Sequence, residues 1–340
     1  MGRGGGAAGG HAATQRRGPA HLAGGVDRQG PGRVLVGHVV GRDGGRDRGA
    51  HGHRARRVPA PRPRQGLSVD TRSDTTRPTS PWLVTMTPVP EDPRATLVVC
   101  PHAGGSAAAY LKLVRACPPW LATMVVQYPG RAHRIQEPFS RSIGELAAKT
   151  AEAILTCVDG PVALLGHSMG SLVALETARI LASEEREPVA LYVSGRGDPA
   201  TRAKGDKHLL NDTQLIEHIC DLGGTDRRIF DDAALRALAL QVIRADYRAL
   251  STYQYHRGRL LHCPVTALNG LSDTSVSVTS STSWAEVTHG AFAQRVFPGD
   301  HFFILEHVEA IAELVSSGLL AQLQQTATTD RAAPVTGTAR

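Results

Sequence analysis

The feature that most constrains this chain is the pentapeptide GHSMG at residues 166–170, because of what flanks it on either side. Residues 162–165 are all apolar and predict a short strand that is buried on both faces. After the pentapeptide, apolar residues recur at the spacing of a packed helix. A strand that passes so quickly into a helix requires a tight turn, with glycine where neighbouring segments leave no room for a side chain. The sequence therefore predicts that Ser168 stands above the end of a strand on a strained turn; the alternative is a buried turn without chemistry.

Predicted strands and helices alternate along most of residues 81–326, which is long enough to bury a sizeable core. One predicted helix begins at Ser142, and Glu145 three residues later is typical of a capping box. The alternation predicts an α/β fold, with a mostly parallel sheet and helices on both faces. The predicted strands are residues 95–100, 123–127, 161–166, 189–194, 263–269 and 295–297, and the predicted helices are residues 108–116, 142–157, about 168–183, and 302–324.

The alternation of strands and helices stops between the predicted strands at residues 189–194 and 263–269. Residues 205–258 show helical patterns with no strand between them. A helical segment inserted late in an α/β sheet is typical of a lid over a site, and the pair Gly223 and Gly224 is a candidate joint within it. An ordinary helical subdomain that does not open or close is equally compatible with this pattern.

Residues 1–80 differ in composition from the rest of the chain. They hold 18 of the 36 glycines, and 15 arginines against 5 aspartates. A segment this rich in Gly, Arg and Pro is predicted to be disordered. It could be an arm that binds nucleic acid, a targeting peptide, or upstream sequence translated from an over-extended gene start, with the natural start near Met86; the abrupt change of composition favours the last. Residues 327–340 are predicted to form a flexible tail.

The overall positive charge belongs to this leader. Residues 81–340 carry 23 basic against 26 acidic side chains, so the charge gives no reason to expect a nucleic-acid partner for the folded domain. The five cysteines are scattered, without a C-x-x-C pair, which indicates reduced thiols in a cytoplasmic protein and no zinc site. No apolar run approaches the roughly 18 residues that span a membrane.

A serine hydroxyl needs a base and an acid that orients the base, and on a strand–turn–helix of this kind the chain order is serine, acid, histidine. His301 is the candidate base, because it follows the last predicted strand and a Gly-Asp turn. His289 is interpreted as a surface histidine. His102 and His167 come too early in the chain to be the base, and we expect structural roles for both.

Two aspartates could be the acid. Asp273 follows the strand at 263–269, and Asp198 follows the strand at 189–194. Either could also be an ordinary turn residue. Asp273 is preferred, because the acid of this kind of site usually follows the later strand. A third loop, Gly104-Gly105 after the first predicted strand, could point backbone N–H groups into the site, although a simple connecting loop is the alternative.

Six short motifs are spread over the predicted domain: PHAGG at 101–105, QYPGR at 127–131, GHSMG at 166–170, SGR at 194–196, CPV at 263–265 and GDHFF at 299–303. Together they resemble the type II thioesterases, discrete α/β-hydrolases that accompany polyketide and nonribosomal peptide synthases. The resemblance extends from about residue 81 to the C-terminus. It departs at residues 269–272, where the family often has a Gly-Gly turn, and in the leader, which has no counterpart.

The resemblance implies a nucleophile at Ser168, a base at His301 and an acid at Asp273; related chain-releasing domains use the earlier loop, which keeps Asp198 open. It also implies oxyanion donors at the N–H groups of Ala103 and Met169. The activity implied is hydrolysis of stalled or aberrant acyl groups from the phosphopantetheine arm of acyl or peptidyl carrier proteins. No metal or bound cofactor is expected, and a monomer is expected. The alternatives are a general carboxylester hydrolase and, from another class, an inactive hydrolase fold that serves as a binding protein.

Overall fold

The computed structural model describes residues 79–201 and 206–332, and in this part a seven-stranded sheet forms the centre. The strands are β1 (Leu83–Val84), β2 (Ala95–Cys100), β3 (Leu121–Val126), β4 (Val162–His167), β5 (Ala190–Ser194), β6 (Val265–Gly270) and β7 (Phe292–Phe297). The helices are α1 (Leu111–Ala116), α2 (Ile143–Cys157), α3 (Met169–Ser183), α4 (Asp212–Asp221), α5 (Ala233–Ser251), α6 (Phe303–Glu306) and α7 (Val308–Ala332).

The strand order across the sheet is β1-β3-β2-β4-β5-β6-β7, and every neighbouring pair is parallel except β1 with β3. From β2 the chain first moves to one side, to β3, and then to the other side, to β4. The order therefore reverses between β2 and β4, and a crevice opens at the carboxyl ends of strands at such a point. Ser168 follows directly on β4 at this position.

Strand β4 shows why helices cover both faces of the sheet. Its side chains alternate, so that Val162 and Leu164 pack in a cluster with α2 and α3, whereas Ala163 and Leu165 pack in a second cluster with α1 and α7. All six residues of β4 are buried. A strand that is apolar on both faces needs a helix layer on each side, which confirms the predicted α/β architecture.

Helices α4 and α5 lie between β5 and β6 with no strand between them, in the part of the chain where the sequence predicts a helical insertion at residues 205–258. It has a small apolar core of its own, formed by Leu215, Ile219, Phe230 and Leu240. One of its contacts with the rest of the domain is made by the glycine pair. A Cβ atom on Gly223 would overlap the Asp300 carboxylate, and one on Gly224 would overlap the ring of Phe302.

Several boundaries differ from the sequence prediction. The last strand, predicted at 295–297, begins at Phe292, because it pairs with the whole length of β6. The closing helix is broken at His307, whose ring nitrogen lies 2.9 Å from the Pro298 carbonyl oxygen and whose backbone leaves the helical region. The helix α7 continues past 326, where the sequence prediction placed the start of a flexible tail, to Ala332. A run of 3-10 turns at Val278–Val287 was not predicted.

Strand β1 was also not predicted, and it lies upstream of Met86. Leu83 and Val84 pair with β3, and the N–H of Gln127 donates to the Trp82 carbonyl at 2.9 Å. A chain begun at Met86 would lack this edge strand. Residues 1–78 of the predicted leader lie outside the described residues, as do residues 333–340 of the predicted tail.

The five cysteines are unpaired, as predicted. Burial raises the pKa of the Cys100 thiol to about 12. Among residues 79–201 and 206–332, no helix combines the length and the apolar character that crossing a membrane requires.

Candidate active site

Ser168 lies on a strained turn between β4 and α3. Its φ of 54° and ψ of −114° are in a region that residues with a side chain rarely occupy, at a cost of about 1–3 kcal/mol. Its backbone N–H donates to the Ser194 carbonyl at 2.7 Å, which anchors the turn to β5. The serine is the N-cap of α3 but does not cap it with its side chain, so its hydroxyl is free to point away from the helix.

The two glycines of the pentapeptide are required by close backbone contacts. A Cβ atom on Gly166 would overlap the backbone of Gly170, and one on Gly170 would overlap the carbonyl oxygen of Cys100 at the end of β2. The turn therefore closes on itself and presses against the neighbouring strand. This confirms the predicted absence of room for a side chain at either position.

The structure brings Ser168, His301 and Asp273 into one hydrogen-bonded chain. His301 Nε2 lies 3.0 Å from Ser168 Oγ, and His301 Nδ1 lies 2.7 Å from Asp273 Oδ2. The imidazole of His301 and the carboxylate of Asp273 are only 6% and 2% exposed. The three side chains come from loops at the carboxyl ends of β4, β6 and β7, which is the edge of the sheet that the sequence predicts.

The state of Asp273 determines which nitrogen of His301 carries the proton. Burial acts to raise the pKa of Asp273, but hydrogen bonds from His301 and Ser275 outweigh it and hold the pKa below its ordinary value. An ionised carboxylate can only accept hydrogen bonds, so Nδ1 of His301 must be the donor. In the neutral ring, Nε2 then presents its lone pair to the hydroxyl of Ser168, which is the arrangement a general base requires.

Ser275 is a site residue that the sequence analysis missed. Its hydroxyl donates to Asp273 Oδ1 at 2.6 Å and its backbone N–H donates to the same oxygen at 2.8 Å. The N–H of Val276 adds a third, longer bond of 3.2 Å. A serine two residues after an aspartate in a loop is the available sequence signal, because it is typical of an Asx turn, but that pattern is common in loops without chemistry.

The other candidates for base and acid lie elsewhere. Asp198 accepts a hydrogen bond from the N–H of Ala200 at 2.7 Å, as a turn residue does, while the two ring nitrogens of His301 contact Ser168 on one side and Asp273 with Ser275 on the other. His289 is exposed, and its ring lies beside that of His262.

His167 is buried beside His301 and His102 is half-buried beside His167, but both are hydrogen-bonded elsewhere. His102 Nδ1 lies 2.8 Å from the hydroxyl of Tyr110, and His167 Nδ1 lies 3.1 Å from that of Ser194. The pKa of His102 is lowered to about 3, first by burial and then by the charges of His301 and Arg131. The pKa of His167 is also lowered well below its ordinary value, first by burial and then by the charges of His301 and His102. Both rings are therefore neutral at physiological pH. His167 packs against His301, with 5.2 Å between the ring centroids, and His102 packs against His167 at 5.8 Å.

Two backbone N–H groups close to Ser168 are candidates to bind an oxyanion. Met169 is the first residue of α3, and its N–H donates to no described residue; the same holds for Ala103 in the loop after β2. The contact of Gly170 with Cys100 and Pro101 places that loop against the first turn of α3. A free N–H at the N-terminus of a 15-residue helix also has the positive end of the helix dipole behind it. The arrangement can therefore stabilise negative charge next to Ser168.

Comparison with known proteins agrees with this geometry. A family model described as a thioesterase domain matches residues 95–319. Thioesterase PikA5 of Streptomyces venezuelae is 37% identical over 243 residues, which cover 70% of this chain and 85% of that protein. The gramicidin S biosynthesis protein GrsT of Aneurinibacillus migulanus is 35% identical over 225 residues, which cover 66% of this chain and 88% of that protein.

Solved structures give the same result. The type II thioesterase BorB from the borrelidin biosynthetic cluster superposes with a TM-score of 0.66 at 38% identity, over 71% of this chain and 98% of that one. The likeness thus spans nearly the whole of that protein and most of the described part of this chain.

Proposed function

The chain belongs to the thioesterase family, and from this premise we propose that it hydrolyses acyl groups from the phosphopantetheine thiol of acyl or peptidyl carrier proteins. The observation that carries the proposal is the hydrogen-bonded chain from Ser168 through His301 to Asp273 at the carboxyl edge of the sheet. The relatives named for gramicidin S biosynthesis and for the borrelidin biosynthetic cluster support a role in removing stalled or aberrant acyl groups from polyketide or nonribosomal peptide synthases.

The geometry supports a two-step route through an acyl-enzyme. Ser168 Oγ attacks the thioester carbonyl carbon while His301 Nε2 takes the hydroxyl proton, and Asp273 stabilises the imidazolium that forms. Collapse of the tetrahedral intermediate breaks the carbon–sulfur bond, and the proton on His301 passes to the departing thiol. Water then attacks the acyl-serine with His301 as base, which releases the acid and restores Ser168.

The oxyanion of each tetrahedral intermediate is proposed to accept hydrogen bonds from the N–H groups of Met169 and Ala103. Each such donor typically contributes about 3 kcal/mol of transition-state stabilisation. All proton transfers in this route use side chains of the chain itself, so we propose that no metal or bound cofactor takes part.

Steady-state rates on diffusible substrates test the substrate class. We expect a higher kcat/KM for a short acyl N-acetylcysteamine thioester than for the p-nitrophenyl ester of the same acid, and loss of both activities in Ser168→Ala. A strong preference for the oxygen ester would instead favour the general carboxylester hydrolase. Full activity in Ser168→Ala would contradict the proposed nucleophile.

A further inference from the structure

A buried ion pair joins the helical insertion to the loop that follows β3. Arg131 lies in that loop and Asp246 lies on α5. Two parallel hydrogen bonds connect them, from Nη1 to Oδ2 at 2.6 Å and from Nη2 to Oδ1 at 2.7 Å. Each side chain is only 6% exposed. A bidentate, charge-assisted pair of this kind fixes geometry strongly, although a buried pair by itself is weak evidence for stability.

The same two side chains also hold the backbone of the glycine loop after β2. Asp246 Oδ2 accepts a hydrogen bond from the N–H of Gly104 at 2.7 Å. Arg131 Nη1 donates to the carbonyl oxygen of Gly105 at 3.2 Å. The carboxylate and the guanidinium thus bind a donor and an acceptor on adjacent residues of one loop.

This loop is a tight turn with Ala103 as its second residue. The N–H of Gly105 donates to the His102 carbonyl at 3.0 Å, and Gly104 has a φ of 81°. A positive φ at the third residue is the mark of a type II turn, which differs from type I by a flip of the central peptide. That central peptide joins Ala103 to Gly104, and its N–H is the group that Asp246 binds.

Helix α5 lies directly on this turn. A Cβ atom on Gly104 would come within 2.6 Å of Ile243 Cγ1. Ile243 and Asp246 are three residues apart on α5 and therefore share one face of the helix. The insertion consequently contacts the turn with both an apolar side chain and a hydrogen-bond acceptor.

We propose that Asp246 is a positioning residue for the reaction: it holds the turn that presents the Ala103 N–H to the oxyanion, and Arg131 balances its buried charge. The inference rests on the proposed acyl hydrolysis. An oxyanion donor stabilises the transition state only if it is already oriented when charge develops. Because the acceptor for Gly104 is on the insertion, docking of α5 completes the oxyanion site, and an insertion that is displaced leaves the site less able to react even with Ser168 and His301 in contact.

The test compares Asp246→Asn with the double variant Arg131→Met/Asp246→Leu, which removes both charges and so leaves neither buried alone. Asp212→Asn is the matched control, since it weakens another ion pair of α5, with Arg244 at 2.7 Å, away from the turn. Turnover of an acyl N-acetylcysteamine thioester and inhibition by a boronic acid, which forms a tetrahedral adduct on serine, are measured with the melting temperature of each protein.

We expect kcat to fall about 30-fold in both Asp246 variants, with KM within about threefold of wild type and the boronic acid weakened by a similar factor to kcat. The control should keep wild-type kcat and inhibition. A folded double variant with wild-type kcat and boronic acid affinity would overturn the inference. A change confined to KM would also overturn it. Either result is what an ion pair with a purely structural role predicts, because its loss does not selectively weaken transition-state binding.

Failure of the proposed function gives a different result. In that case wild type does not cleave thioesters, whether or not it cleaves oxygen esters, and the rate at which a fluorophosphonate labels Ser168 decides the matter. Slower labelling of the folded double variant than of wild type and Asp212→Asn supports the positioning role. Equal labelling of all three proteins overturns it.

Discussion

At the scale of single residues, the reactivity proposed for Ser168 depends on two side chains that come later in the chain. His301 contacts its hydroxyl, and Asp273 contacts the opposite nitrogen of His301. The hydroxyl of Ser275 and the N–H of Val276 donate hydrogen bonds to the carboxylate of Asp273, and these bonds orient it independently of His301. The loop therefore orients Asp273, Asp273 orients the imidazole of His301, and the imidazole contacts the hydroxyl of Ser168.

Replacing Asp273 by Asn should reduce kcat by at least about a hundredfold, because an amide that donates a hydrogen bond favours the wrong tautomer of His301. The matched control is Asp198→Asn, which keeps an oxygen that can accept from Ala200 and should leave kcat within about twofold of wild type. Steady-state kinetics on a single acyl thioester measure both. Equal and mild effects of the two substitutions would contradict the assignment of the acid.

Sequence could predict the three side chains of this chain of hydrogen bonds because each follows a strand, and strand ends are visible in the pattern. It could not separate Asp273 from Asp198 by geometry, since both lie in loops at the same edge of the sheet. The contact of Asp246 with Arg131 was missed, because it joins positions 115 residues apart and depends on how α5 packs. A charged residue on a helix gives no sequence signal of burial.

At the scale of elements, the passage from β4 to α3 is fixed by its two glycines. Gly170 is the more constrained, because the atoms that a Cβ would overlap are backbone carbonyls of β2 and the residue after it, which cannot move without distorting the sheet. By contrast, a Cβ on Gly144 near the start of α2 would meet only the Ser142 hydroxyl, at 3.9 Å.

Gly170→Ala should therefore lower stability by about 3 kcal/mol or more, which corresponds to a melting temperature roughly 6–12 °C below wild type for a domain of this size. Gly144→Ala should leave the melting temperature unchanged or slightly higher, since alanine favours the helix by up to about 1 kcal/mol. Thermal unfolding followed by circular dichroism compares them. A Gly170→Ala protein that melts like wild type would mean that the turn can relax, contrary to the contact with Cys100.

The elements that sequence missed are those whose existence depends on their neighbours. Strand β1 has two residues and forms because β3 offers it an open edge. Strand β7 includes polar Gln294 and Arg295, and its full length follows from pairing with β6. The long, periodic helices α2 and α3 were predicted within a residue or two, because their apolar spacing is a property of their own sequence.

At the scale of the whole molecule, one edge of the sheet gathers the groups that the proposed reaction needs. The proposed nucleophile and one proposed oxyanion donor follow β4, the second proposed donor follows β2, and the proposed acid and base follow β6 and β7. The helical insertion lies over this edge, contacting Gly104 through Ile243 and Asp246 on α5, and Asp300 and Phe302 through Gly223 and Gly224. The strand order therefore brings these groups to one edge of the sheet, and the helical insertion packs against the loops there.

The most direct test of the central claim is mass spectrometry of a carrier protein whose phosphopantetheine arm carries a short acyl group. With wild type, the account predicts that the carrier loses the mass of the acyl group and regains a free thiol, while the acid accumulates in equal amount. With Ser168→Ala the acyl carrier should persist as it does in buffer alone. A carrier that stays acylated in the presence of wild-type protein that does cleave p-nitrophenyl esters would contradict the account.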